Sequence, residues 1–286
     1  MQFSPQLFTK EMKDITMSNS TNSFISRPSL DHVVSQACTA TQFHESHYSR
    51  LAEEIHQTPK FHRKQWEYIY ILRVLEQSGL MSAGTTGLGF GCGKEPLAVV
   101  MAKNGLNVTV TDIPPFDTSD THWGSRSAMD LFYAGVCSEA KYKEHVSFRA
   151  VDMNNIPDDL GEYDFVWSCC ALEHLGSLKA GMDFIVNSIK CLKPGGIAIH
   201  TTEFNVSSDG ETLESEGLSL YRRSDFIELQ NRLFELGCSV LPMNFYSGNL
   251  PEDKYIDFPP YEQKTHLKLL IDKFVITSFG VVLRKN

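Results

Sequence analysis

Apolar positions along the chain follow two rhythms, alternation every second residue and recurrence every third or fourth, which mark half-buried strands and amphipathic helices. Tyr68, Ile71, Leu72 and Leu75 fall at i, i+3, i+4 and i+7 and predict one long helix that ends near Gly79. Residues 85–90 predict a first strand despite Gly84 and Gly87, because the flanking elements require one there. Leu97, Val100 and Met101 predict a helix opened by Pro96 and closed by Asn104-Gly105. Further strands are predicted over 107–112, 146–151, 163–167 and 197–200. A helix over 128–136 returns the chain to the third strand, and Met182, Ile185, Ile189 and Leu192 share one face of a helix over 178–192. Ser224 caps another helix, with Asp225 in its first turn and Gly237 after it. Strands over 239–246 and 273–284 complete the series, with a loop over 251–266 between them. Residues 1–30 are polar and Ser- and Asn-rich without periodicity, which predicts a flexible segment. Residues 31–80 predict a helical cap or lid, and 81–286 a single α/β domain.

The chain is organised around Gly89, Gly91 and Gly93, which alternate between the first strand and its helix. Glycine adopts positive φ and lets a ligand approach the backbone, and in an open parallel sheet this turn lies where ligands bind. A glycine turn by itself is equally a tight connection with no ligand. Its context adds weight. Asp112 ends the second strand roughly 20 residues on, where a carboxylate can accept hydrogen bonds from ribose hydroxyls. The third strand ends in Asp152-Met153. The fourth runs into Ser168-Cys169-Cys170-Ala171-Leu172-Glu173-His174-Leu175, and Leu192-Lys193-Pro194-Gly195-Gly196 leads into the fifth.

This ordered series resembles the class I S-adenosylmethionine-dependent methyltransferases, from about Trp66 to the C-terminus and most sharply from Gly87 to Phe204. The resemblance implies a Rossmann-like, doubly wound α/β fold. Its seven-stranded sheet would carry an antiparallel C-terminal strand, with an N-terminal helical extension. It implies S-adenosyl-L-methionine as cofactor. Gly89, Phe90 and Gly91 would cradle the methionine portion, Asp112 and Ile113 would hold the ribose end, and Asp152 would accept from the adenine amino group beside a Met153 shelf. Ser168 would lie under the transferring methyl. One position departs from the family pattern. The acid usual two residues before the first of the three glycines is Gly87 here. Glu95, or a carboxylate from the N-terminal region, is the expected substitute.

Methyl transfer is an in-line displacement in which alignment supplies most of the acceleration, and an alcohol or amine acceptor must also lose a proton. His174, just past the fourth strand, is the expected base, with Glu173 as its orienter or a second acceptor. The same pair could instead cap the following helix and touch the cofactor. His200 competes for the role. His44 and His47, three apart, would share a helical face and fold over the substrate. With no third ligand beside them, no metal is expected. Arg63 and Lys64 either reach the cofactor carboxylate or form a solvated pair. Residues 113–124 form a long connection, in which Trp123 stacks on a ligand or anchors local packing. The stretch His200–Asn205 with Tyr221, Arg222, Arg223 and Pro259-Pro260-Tyr261 is similar to methyltransferases of sugars and other secondary metabolites, Arg222 or Arg223 holding a phosphate or carboxylate.

The chain's 286 residues suffice for one full α/β domain with an extension, and a net charge of −9 argues against general nucleic-acid binding. Seven cysteines without a CxxC framework read as reduced thiols of a cytosolic protein. No apolar run approaches the ~20 residues of a membrane span. A small-molecule acceptor, no membrane association and a cytoplasmic location are therefore expected, and a homodimer is compatible. Two other readings remain. A nicotinamide dehydrogenase leaves Asp152-Met153 without a task. A non-catalytic subunit that binds a protein partner is the reading that Gly87 favours.

Overall fold

The computed structural model describes residues 27–113, 124–262 and 264–286. The chain enters through β1 (Ser35–Ala37) and two helices, α1 (Ser46–Glu54) and α2 (Arg63–Gln77). Then come β2 (Thr86–Phe90), α3 (Leu97–Lys103), β3 (Asn107–Asp112), α4 (Glu139–His145), β4 (Val146–Ala150), β5 (Tyr163–Cys169), α5 (Leu178–Ser188) and β6 (Leu192–Asn205). The C-terminal part holds α6 (Arg223–Glu235), β7 (Cys238–Val240), β8 (Met243–Asn244), α7 (Pro251–Lys254), β9 (Ile256–Asp257), β10 (Lys268–Ile271) and β11 (Phe274–Lys285).

Strands β4, β3, β2, β5 and β6 lie side by side in that order, all parallel, and β11 closes against β6 antiparallel. The order runs outward from β2 in both directions, which makes the sheet doubly wound with its switch point beside the glycine turn. The seventh lane is divided rather than continuous. The outer edge of β11 pairs with β10 near its start, β1 in its middle and β7 near its end, and β8 and β9 lie farther out. The expected seven-stranded sheet thus contains eleven strands among the described residues.

Alternation along β5 sorts its side chains. Phe165 and Trp167 join α2 and α3 on one face, while Val166 joins Phe184 of α5 and Leu229 of α6 on the other. Helix α2 can lie flat on the sheet because β11 has a glycine beneath it. A Cβ on Gly280 would fall 2.1 Å from the Tyr70 ring. Gly87 has the same origin, since its Cβ would fall 2.3 Å from Phe165. The missing acid on β2 is therefore a packing requirement of this core.

Several boundaries differ from the sequence reading. Residues 128–136 form no α-helix. A short 3₁₀ turn, Ala128–Leu131, is followed by Gly135 at φ +103°, and the helix comes later as α4, capped by Ser138. Within 31–80, Ser35–Ala37 is a sheet strand, and the Ser35 hydroxyl accepts from the Val282 N–H. The strand expected over 239–246 splits at Pro242, which has no N–H to donate, so its second half pairs with β1 instead. Helix α6 begins at Arg223, one residue before Ser224, and its cap is Arg222, whose N–H donates to the Asp225 carboxylate. Residues 1–26 of the segment expected to be flexible lie outside the described residues.

Gly87→Ala is expected to cost about 2 kcal/mol of stability by overpacking against Phe165. Gly87→Asp should cost more, because the added carboxylate would be buried without a partner. Urea unfolding of both variants measures this.

Candidate active site

The carboxyl ends of β2, β3, β4 and β5 meet at the glycine turn. Gly91 and Gly93 hold φ of +59° and +51°. A Cβ on Gly91 would lie 2.8 Å from the Ala171 Cβ and 3.0 Å from the Met153 sulfur, so the turn, the end of β4 and the end of β5 are in contact. Asp112 is buried, and its Oδ2 accepts from the Gly93 N–H at 3.2 Å and from the Ser125 N–H at 2.8 Å. Its Oδ1 accepts from the Ile113 N–H at 2.9 Å, and Ile113 itself is exposed. The Val151 N–H donates to the Asp112 carbonyl, which sets Asp152 beside the end of β3. Asp152 is half-buried and accepts from the Asn154 N–H at 2.8 Å. Pro114, Pro115 and Trp123 lie outside the described residues.

Behind the turn, a Cβ on Gly89 would strike the Trp167 ring at 2.3 Å, and the Trp167 indole N–H donates to the buried Glu95 carboxylate. Burial pushes the Glu95 carboxyl up to about 8, with Trp167 and Cys92 opposing through hydrogen bonds. Phe90 contributes backbone only. Its ring is buried on the opposite face, edge-on to Phe184.

A second layer of polar groups covers the ends of β5 and β6. Arg63, at the start of α2, reaches Glu203 at 2.6 Å and Glu67 at 3.4 Å, and Lys64 approaches the same two carboxylates at 3.8 and 3.6 Å. Glu67 also accepts from Ser278, from Thr201 at 3.3 Å and from Cys169 at 3.4 Å. Cys170, in the left-handed region at φ +52°, donates toward both Glu173 and Glu203. Glu173 further accepts from Thr202 at 3.0 Å. Burial raises the Glu173 carboxyl, whereas for Glu203 burial is outweighed by Arg63 and Lys64, which bring it below its ordinary value. Cys170, Glu173 and Glu203 come close enough to share a metal ion. Here the Arg63 guanidinium already sits on Glu203 and 4.0 Å from the Cys170 sulfur, so the positive charge is supplied by the protein. Arg63 and Lys64 are thus engaged with carboxylates rather than aimed at a cofactor. All seven cysteines are free thiols.

Other expected site residues lie elsewhere. Ser168 and His200 point away from the rim. Both are fully buried, bonded to each other at 2.8 Å, with the His200 ring edge-on to Phe184. Burial pushes His200 down to about 3. Neither can reach an acceptor from there. Tyr221 is a core residue whose hydroxyl meets the Leu172 carbonyl. Arg222 is occupied at the start of α6 by both oxygens of Asp225 and by the Gly210 carbonyl. His44 and His47 do not share a helix face. His44 ends a 3₁₀ turn beside Phe61, and His47, in α1, faces Asp31 at 3.3 Å. His174 is exposed, its Nδ1 2.7 Å from the Gly217 carbonyl and its Nε2 4.0 Å from Glu173. Glu67 was missed by pattern reading because it occupies an apolar face of α2, and its spacing of four from Arg63 was the available signal. His266 and Asp257, 2.6 Å apart, were missed inside a stretch read only as a loop.

Because the Glu95 carboxyl titrates above its ordinary value, the folded chain binds the extra proton between the two values, and stability falls as pH rises through that window. The group contributes a slope of up to about 1.4 kcal/mol per pH unit. Glu95→Gln is expected to flatten the decline, which urea unfolding at about pH 5 and about pH 8 measures.

Residues 46–242 match the family model of a methyltransferase domain. No curated protein sequence matches the chain. Among solved structures, the cyclase SpnF is 19% identical, with 73% of this chain and 76% of that one covered at a TM-score of 0.46. The CcbJ methyltransferase from Streptomyces caelestis is 11% identical, with 78% and 94% covered at 0.44. The 1,6-didemethyltoxoflavin-N1-methyltransferase from Burkholderia thailandensis is 15% identical, with 71% and 72% covered at 0.41. The chain's family rests on the sequence match, which spans more than half of its length and includes every strand end that meets the glycine turn. The chain belongs to the methyltransferase-domain family, the class I enzymes that use S-adenosylmethionine.

Proposed function

We propose that this chain transfers a methyl group from S-adenosylmethionine to an oxygen or nitrogen of a small polar molecule, with sugars and other hydroxylated metabolites the first class to test. The observation that carries this reading is the convergence on one turn. Asp112 bonds the Gly93 N–H, and Gly91 is in contact with Met153 and Ala171. A Cβ-free turn with a buried carboxylate on its flank fits a nucleoside joined to an amino acid. Gly89 to Gly93 would hold the amino-acid end, Asp112 the ribose, and Asp152 with Met153 the adenine. The bound cofactor supplies a methyl group made electrophilic by its sulfonium. Glu95, the expected substitute for the acid absent at Gly87, is buried behind Gly89 on the Trp167 indole and keeps its proton at neutral pH, so it offers the cofactor's amino group no charge. The polar layer of Glu173, Glu203 and Cys170 gives the acceptor side hydrogen-bonding groups and, through Arg63 and Lys64, a near-neutral balance of charge. That balance suits an uncharged polar acceptor.

Titration calorimetry with S-adenosylmethionine and S-adenosylhomocysteine tests the first half. Binding of both is expected. Asp112→Ala should weaken both by about tenfold or more, the worth of hydrogen bonds to a charged group. Binding of neither would favour the non-catalytic subunit. Product mass analysis against nucleotide sugars, glycosides and small amines tests the second half. Methylation confined to protein or RNA would reject it.

A further inference from the structure

A histidine–carboxylate pair outside the matched family region stands against the polar layer. His266 Nδ1 lies 2.6 Å from Asp257 Oδ2, and both residues are buried. The backbone fixes the ring's place. The His266 N–H donates to the Phe61 carbonyl at 2.8 Å, and its own carbonyl accepts from the Arg63 N–H at 3.0 Å. The ring stacks on His62 at 4.7 Å, and Tyr261 meets it edge-on at 5.6 Å. The same Arg63 reaches Glu203 and contacts Cys170, whose neighbour Ala171 touches the glycine turn. His266 Nε2 makes no hydrogen bond among the described residues. His62 differs, because its Nδ1 accepts from the Lys64 N–H as the cap of α2.

We propose that His266 is the proton acceptor of the methyl-transfer reaction, with Asp257 as its orienting carboxylate. This rests on the methyltransferase reading above. Donation from Nδ1 to Asp257 fixes the tautomer that leaves a lone pair on Nε2, and the carboxylate stabilises the imidazolium once formed. As the acceptor's oxygen or nitrogen bonds to the methyl carbon, the carbon–sulfur bond breaks and its electron pair stays on sulfur. The acceptor's proton passes to Nε2 and then to solvent. Burial lowers the His266 pKa, which favours the neutral ring a base needs, and the Asp257 hydrogen bond opposes it. Arg63 also lowers it and Glu203 raises it. Tyr261 and His62 are the titratable groups whose rings meet it, and burial holds His62 down at about 3.

Asp257 also accepts from the Glu262 N–H at 3.2 Å, so the pair has a loop-tying role that the test must separate. His266→Asn does so, because its amide donates to Asp257 in place of Nδ1 and offers no base. S-adenosylhomocysteine affinity is expected to stay within about twofold. With the panel acceptor that the wild type turns over fastest, kcat should fall about 10²-fold or more, and the acidic limb of the pH profile should vanish. A readout that needs no acceptor is long-range ¹H–¹⁵N correlation on histidine-labelled full-length chain saturated with S-adenosylhomocysteine. It should find His266 protonated on Nδ1 and bare on Nε2 at about pH 7. The proposal falls if Nε2 carries the proton at that pH, if His266→Asn keeps its kcat, or if the acidic limb disappears in His174→Ala instead. A wild type that binds neither S-adenosylmethionine nor S-adenosylhomocysteine would overturn the methyltransferase reading itself, whatever the state of His266.

Discussion

Two aromatic rings on β5 set the terms for the rest of the molecule. Phe165 and Trp167 rise from the central strand into the space where side chains of residues 87 and 89 would stand. Strand β2 can therefore carry only glycine at those positions. This gives the backbone its close approach to whatever binds at the turn, and it denies β2 the acid usual in the family. On the same side, the Trp167 indole N–H holds Glu95 in the core behind the turn. One packing decision thus explains the glycine spacing, the missing acid and the buried glutamate together.

The second constraint is electrostatic. Glu67, Glu173 and Glu203 lie buried at the sheet's carboxyl edge, with Arg63 and Lys64 within ion-pair reach of Glu67 and Glu203 and the exposed His174 4.0 Å from Glu173. Buried ion pairs rarely add net stability over well-packed apolar groups, but stripping one partner from such a pair costs several kcal/mol. A cluster of this kind is poor economy for a core and makes sense as a fixed field. Its location, between the start of α2 and the turn after β5, also explains why α2 belongs with the sheet. Arg63 ties the helix's first turn to β6, Ser278 on β11 donates to Glu67, and Tyr70 farther along lies over Gly280.

The fold was legible wherever local pattern and tertiary demand agreed. The glycine turn, Asp112 and the long helix before β2 could be read directly, because each has a signature within a few residues. Boundaries went astray where a single residue overrode the pattern, Gly135 ending one expected helix and Pro242 splitting one expected strand. The cluster of Gly91, Asp112 and Met153 at one turn was legible, because the family's series of motifs lies in order along the chain. The acceptor side was poorly legible. Those residues come from α2, the ends of β5 and β6 and the loop before β10, and no sequence period links Glu67, Cys170, Glu203 and His266.

His200 and His266 show what residue type alone leaves out. Both are histidines near strand ends, and the sequence reading named His200, behind His174, and not His266. Alternation along β6 turns His200 inward, onto Ser168 and the Phe184 ring, where burial removes both its charge and its access. His266 sits in no regular element, yet two backbone hydrogen bonds to the entry of α2 hold it as firmly as a strand would. An orienting carboxylate on one nitrogen then gives the ring a direction. What distinguishes the two is the partner on Nδ1. A serine hydroxyl in an apolar core can satisfy an imidazole but cannot stabilise its charged form, whereas a carboxylate does both.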